Sequence, residues 1–129
     1  MYNLVLRSDI KNLEACMSKM PQVDFELRHY FLPGIYVREL HAKAGTALVG
    51  KLHKKDHIMM LQKGKIKVVS EQLTSILSAP CTIECKAGAK RAAYIIEDTV
   101  WVTIHPSDET DLDKLEAELI AKDFEEIEQ

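Results

Sequence analysis

Five turn signals, Leu32-Pro33-Gly34, Ala44-Gly45, Lys63-Gly64, Ala79-Pro80 and Ala87-Gly88, cut the middle of the chain into short runs rich in β-branched and aromatic residues. Runs of that length and composition read as strands, several of them separated by hairpin-length gaps. The pattern places strands near 35–42, 46–53, 57–63, 65–71, 73–78, 81–85, 91–97 and 99–105. So dense a succession of strands predicts a mainly β fold, a sandwich or barrel. In Lys63-Gly64-Lys65-Ile66-Lys67-Val68 the lysines alternate with apolar residues, so one face of this strand pair is wet and its edge resists strand-to-strand aggregation.

Helical periodicity is confined to the ends. Ser8 can cap a short N-terminal helix in which Ile10, Leu13, Met17 and Met20 recur at helical spacing until Pro21. After His105-Pro106, Ser107 or Thr110 can cap a C-terminal acidic helix over about 108–122, with Leu112, Leu115 and Leu119 on one face to lie against the sheets. The acidic end from Phe124 to Gln129 is expected to fray.

With 129 residues, 47% apolar and 29% charged, the chain suits one soluble domain and is short for two cores. No apolar run reaches the roughly 18 to 20 residues that cross a bilayer, and the opening MYNLVLRSDIKN lacks the features of a secretory leader, so no membrane partner is expected. Cys16, Cys81 and Cys85 are odd in number, and an extended run would hold the last two apart, which fits free thiols in a reducing cytoplasm. The net charge of −3 conceals a split: residues 107–129 carry ten acids against two lysines and stand at −8, and the rest at +5. A basic body can serve an anionic ligand, but an attached acidic segment competes with any polyanion, and with no recognition motif present the reading disfavours nucleic acid.

The stretch that carries chemistry runs from Gly45 to Gly64. Strand alternation puts Lys51 and His53 on one face, and a three-residue turn brings His57 close to His53. Two converging imidazoles suit a metal ion, though such a pair also occurs as a surface or hydrogen-bonded core feature. No phosphate-cradling glycine loop, C-x2-C pair, H-E-x-x-H helix or nucleophile elbow accompanies them.

The spacing Gly45-x5-Lys51-x-His53-x3-His57-x6-Gly64 resembles the first motif of the cupin superfamily, G-x5-H-x-H-x3–4-E-x6-G, in every gap length. Lys51 stands where the family's first histidine does and His57 where its glutamate does. The second motif, P-x-G-x2-H-x3-N, maps onto residues 86–95 with only Gly88 retained; Arg91 takes the metal histidine's place and Ile95 the asparagine's. The chain is also similar to small, uncharacterised cupins encoded by tailed phages. The resemblance implies a single-domain cupin-like double-stranded β-helix, a jelly-roll barrel, over about residues 34–105. Its strand order would lay the last strand antiparallel to the one that His57 begins, ending His105 near His57. His53, His57 and His105 then form a candidate site for a divalent metal: zinc, iron, nickel or manganese. The same order sends His41 toward the opposite end of the barrel and leaves His29 before the sheet.

Lys51 and Arg91 repel a metal but suit a carboxylate or phosphate, so a small anionic ligand is the natural partner, with Arg38, Tyr94 and Trp101 shaping the pocket wall. Set against this, the arginines can face water or pair with Glu39, Glu84 or Glu97, and Tyr94 and Trp101 can simply pack. Two functions stay open: a metalloprotein that acts on or binds a small anion, and a metal-free module that binds or sequesters a phosphate- or carboxylate-bearing metabolite or nucleotide without catalysis. Cupins commonly dimerise, so a homodimer is expected.

Overall fold

Two long strands organise the molecule. The computed structural model describes residues 25–49, 52–70, 74–88 and 91–121. Its strands are β1 (Glu26–Leu32), β2 (Ile35–Ala42), β3 (Ala47–Val49), β4 (Leu52–His53), β5 (His57–Val69), β6 (Thr74–Ser78), β7 (Cys81–Cys85), β8 (Ala92–Pro106) and β9 (Ile120–Ala121), and a helix, Leu112–Leu119, separates the last two. β5 and β8 run antiparallel from Ile58 opposite Ile104 to Val69 opposite Ala92. Each then recruits two partners on its other edge: β8 takes β2 and β3, and β5 takes β7 and β6. With β1 on β2, this gives a seven-stranded antiparallel sheet, and β4 and β9 form a separate two-stranded ribbon.

The expected hairpins at Lys63-Gly64 and near Asp98 are absent, because the paired runs there fuse into β5 and β8. Gly64 makes a bend inside a strand instead of a turn between two. The β5–β8 register is irregular between Leu61 and Ile66, and the buried set moves from His57, Met59 and Leu61 to Ile66 and Val68, a change from odd to even positions. A strand can switch phase this way only at a bulge. At the bend Gly64 has φ +96, and a Cβ there would collide with the Asp98 carbonyl and the Thr99 side chain and lie 2.8 Å from Thr99 Cα. The expected strand over 46–53 is likewise divided, into β3 and β4. β1 lies outside every expected strand; its exposed, non-alternating sequence ELRHYFL suits a sheet edge and carries no period-two signal.

Met59, Leu61, Ile66, Val68, Ile95 and Trp101 form the main core. A smaller cluster joins Tyr36 to Leu115 and Leu119 of the helix, while Leu112, expected on the same packed face, is half-exposed. Asp111, and neither Ser107 nor Thr110, caps the helix: its Oδ1 accepts the amides of Asp113 at 3.0 Å and Lys114 at 3.1 Å. The Ser107 hydroxyl is engaged by Glu118 Oε2 at 2.9 Å. No helix among the described residues is long and apolar enough to cross a membrane. Cys81 and Cys85 are free thiols four residues apart on β7. The expected N-terminal helix, Cys16, Lys51 and the acidic end lie outside the described residues.

The bend yields a direct test. Gly64→Ala should lower unfolding free energy by about 3 kcal/mol, combining overpacking with an unfavourable φ. Gly45→Ala, also at positive φ but with nothing within 4 Å of the new methyl, should lose only about 1 kcal/mol. Equal losses in urea titrations would contradict the close approach at Gly64.

Candidate metal centre

Strand register arranges the inner face of the sheet in tiers. Across β2 and β8, Tyr36 lies opposite His105, Arg38 opposite Thr103, and Leu40 opposite Trp101. Across β8 and β5, Thr103 continues to Met59 and Trp101 to Leu61. Ile58 pairs with Ile104, so the residues beside them, His57 and His105, become neighbours with ring centroids 4.8 Å apart. One tier therefore carries the imidazoles, the next hydrogen-bond donors, and the third is apolar apart from the Trp101 N–H.

His53 enters from outside this sheet. Among the described residues β4 pairs with β9 alone, where His53 lies opposite Ile120, and the His53 carbonyl accepts the Gly88 amide at 3.1 Å. The short segment between β4 and β5 does not form a hydrogen-bonded hairpin of the two strands, yet it folds the rings of His53 and His57 to 4.1 Å between centroids. His53 and His105 stack at 5.1 Å. All three histidines are buried, and their ligand atoms lie within 4.8 Å of one another. Near-tetrahedral coordination at about 2.0–2.1 Å requires nitrogens somewhat closer than this.

Burial is the leading cause that keeps the three rings neutral. It pushes His53 to about 2, helped by repulsion from the other two histidines and from Arg38 and Arg91. It pushes His105 to about 3 and His57 to about 4, with the two guanidinium groups again opposing a charge on His57. Neutral imidazole is the ligating form. His57 Nδ1 lies 3.5 Å from the Lys55 carbonyl, which can only accept, so a proton on Nδ1 leaves Nε2 open for a metal. His53 Nδ1 is buried with no hydrogen-bond partner, an atom that a bound cation would satisfy. The donor set thus fits a divalent ion.

Beside the imidazoles lies a pocket of about 50 Å³ lined by Arg38, Arg91, Trp101 and Thr103 together with His53, His57 and the apolar Leu40 and Leu48. No carboxylate lines it, and no salt bridge joins Arg38 or Arg91 to Glu39, Glu84 or Glu97 among the described residues. Arg91 does reach Cys85, the cross-strand partner of His57, where burial raises the thiol and the guanidinium opposes the rise. Tyr94 stands apart: Ala93 and Ile95 face inward, so strand alternation turns Tyr94 outward, 49% exposed. His41 bonds Glu39 at 2.6 Å. His29, expected before the sheet, is in β1 and meets the Tyr36 hydroxyl at 2.7 Å. Thr103 was not among the sequence candidates, although alternation along residues 101–105 puts Trp101, Thr103 and His105 on one face.

No family model matches the sequence, and no curated protein matches it. Many solved structures do match its fold. A cupin 2 domain-containing protein from Halorhodospira halophila superposes with a TM-score of 0.58 at 14% identity, covering 78% of this chain and 81% of that one. KdgF from Halomonas sp. gives 0.57 at 15% identity over 67% of this chain and 86% of that one. Hydroxypropylphosphonic acid epoxidase from S. wedmorenis gives 0.53 at 7% identity over 63% and 50%. The chain has the cupin jelly-roll fold.

The buried rings predict a pH effect in metal-free protein. Each histidine titrates near 6.5 when unfolded and at about 4 or below when folded, so between these values the unfolded chain holds more protons. Stability should therefore fall as pH drops from 7 to 5, and His57→Gln should flatten part of the slope. An unchanged urea midpoint over that range would contradict burial of the three rings.

Proposed function

We propose that this cupin-fold protein holds a divalent metal ion on His53, His57 and His105 and binds a small anionic molecule beside it, between Arg38 and Arg91. The observation that carries the reading is the composition of the site: three neutral, buried imidazoles converge, two of them, His53 and His57, line one pocket with both guanidinium groups, and no carboxylate among the described residues lines that pocket. A divalent cation added to two arginines leaves a strongly positive, partly dry cavity, which an anion neutralises. When bound, the metal supplies a Lewis acid to an oxygen of the ligand. The chain's own part is to hold and orient. Arg38 and Arg91 can each present a fork of donors to a carboxylate or phosphate, and Leu40 and Leu48 add apolar surface to the same pocket. The fold neighbour named for hydroxypropylphosphonic acid acts on an anion, which is in keeping with this reading.

Lys51 as a further cation for the ligand, and the cytoplasm as the setting, remain part of the proposal on the sequence reasoning above. A metal-free anion-binding barrel is the competing function, and the two separate on metal dependence.

Chelator-treated protein should gain several degrees of melting temperature with zinc, nickel, manganese or ferrous ion, since a ligand at 100 times its Kd adds about 2.7 kcal/mol to the native state. His53→Ala should abolish the gain. Arg91→Ala should leave the metal effect intact and weaken phosphate or carboxylate binding by about 1.5–3 kcal/mol in calorimetry, the scale of a lost charged hydrogen bond. A metal shift that survives His53→Ala, or anion binding that survives Arg91→Ala, would remove the corresponding half of the proposal.

A further inference from the structure

Three buried side-chain polar atoms among the described residues lack a hydrogen-bond partner: His53 Nδ1, Trp101 Nε1 and Thr103 Oγ1. All three residues line the one pocket that also holds both guanidinium groups. Partnerless polar atoms are destabilising wherever they are buried, because water has been stripped from them without replacement. Scattered singly they would mark local imperfections. Grouped on the residues of one pocket, with the Trp101 and Thr103 atoms beside the nitrogen already assigned to a cation, they point to a missing partner there.

The indole N–H can only donate, the two guanidinium groups can only donate, and the threonine hydroxyl is free to turn its proton inward. Both Trp101 and Thr103 are more than nine-tenths buried, at 8% and 7% exposed. They alternate inward along β8, and Thr103 lies directly opposite Arg38 in the register, so strand geometry rather than a flexible loop sets the donors. The remaining lining is hydrocarbon: Leu40, the cross-strand neighbour of Trp101, and Leu48. A volume of about 50 Å³ has room for only a few atoms. The occupant's buried part is therefore one compact acid group and not an extended molecule.

We infer that Trp101 and Thr103 complete an oxyanion cradle with Arg38 and Arg91, which takes a single carboxylate, phosphate or phosphonate head group. This rests on the anion-binding reading above and adds two neutral donors to it. Arginine recognises the charge of the ligand. The indole and hydroxyl add direction, each satisfying an oxygen that the forks do not reach, and they select against an occupant lacking a second or third acceptor.

Thr103→Val, which is nearly isosteric, separates this role from packing, and Trp101→Phe, which also removes volume from the core, is read beside it. Thr103→Val replaces the hydroxyl by a methyl group, and Trp101→Phe removes the N–H while keeping an aromatic ring. Binding of inorganic phosphate, methylphosphonate and oxalate is measured by calorimetry on metal-loaded and chelator-treated protein, beside wild type and Arg91→Ala. The inference requires each variant to weaken the best of these probes by about fivefold or more, the consequence of one lost hydrogen bond. Thr103→Val should at the same time match or exceed the wild-type melting temperature without anion, because an apolar group replaces a buried polar atom that has no partner. The ranking of the three probes identifies the head group. If Arg91→Ala weakens binding while Thr103→Val binds as wild type does, the cradle is overturned and the anion-binding reading survives. If no probe binds wild type, metal-loaded or metal-free, both fall. Should Trp101→Phe fail to fold, Thr103→Val decides alone.

Discussion

The antiparallel pairing of β5 with β8 is the constraint on which the rest of the structure depends. Its register sets Ile58 against Ile104 at one end and Val69 against Ala92 at the other, and both strands have a further partner along nearly their whole length. Because side chains alternate, this single register determines which residues share the interior. It brings His57 beside His105, continues Arg38 through Thr103 to Met59, and stacks Leu40, Trp101 and Leu61 below them. The bend at Gly64 lets β5 reverse its buried phase midway and keep feeding the core. The third histidine depends on a different support. His53 is held by the ribbon that β4 makes with β9, so the helix and the strand after it anchor one wall of the site.

Electrostatics gives this geometry its chemical direction. Histidines in a dry interior give up their charge, and here burial, mutual repulsion and two arginines all act in that direction. The outcome is a neutral nitrogen cluster beside fixed positive charge, in a pocket whose other lining is Leu40, Leu48, Trp101 and Thr103 and to which the described residues bring no carboxylate. A site of that composition is poorly satisfied alone. A cation on the imidazoles and an oxyanion on the arginines, indole and hydroxyl would satisfy it together, each making the other more favourable.

Much of this was legible in the sequence where local chemistry and tertiary structure agree. β2 and β7 begin and end where turn signals and β-branched runs place them, and the spacing of the first cupin motif led to His53 and His57. His105 could be added only through the strand order that the resemblance implied, since no local pattern links it to residues 50 positions earlier. Elsewhere local signals were ambiguous. Lys63-Gly64 has turn composition, but a glycine that relieves a close approach inside a bent strand has the same signature. β1 is an exposed edge with no alternation to read. Tyr94 was placed by residue type, whereas the inward phase of Ala93 and Ile95 sends it outside. Thr103 was missed because a lone threonine in a strand is ordinary; only the empty hydrogen-bonding position around its hydroxyl gives it meaning.

The most direct test of the metal centre is X-ray absorption on protein purified without an affinity tag and loaded with one equivalent of zinc, with wild type compared to His105→Ala. The expected result is a tightly held ion in wild type with three imidazole nitrogens at about 2.0–2.1 Å, and loss of one of them or of the metal itself in the variant. A wild-type protein that stays folded and retains no metal, or one whose ion has the same ligands without His105, would contradict the three-histidine centre.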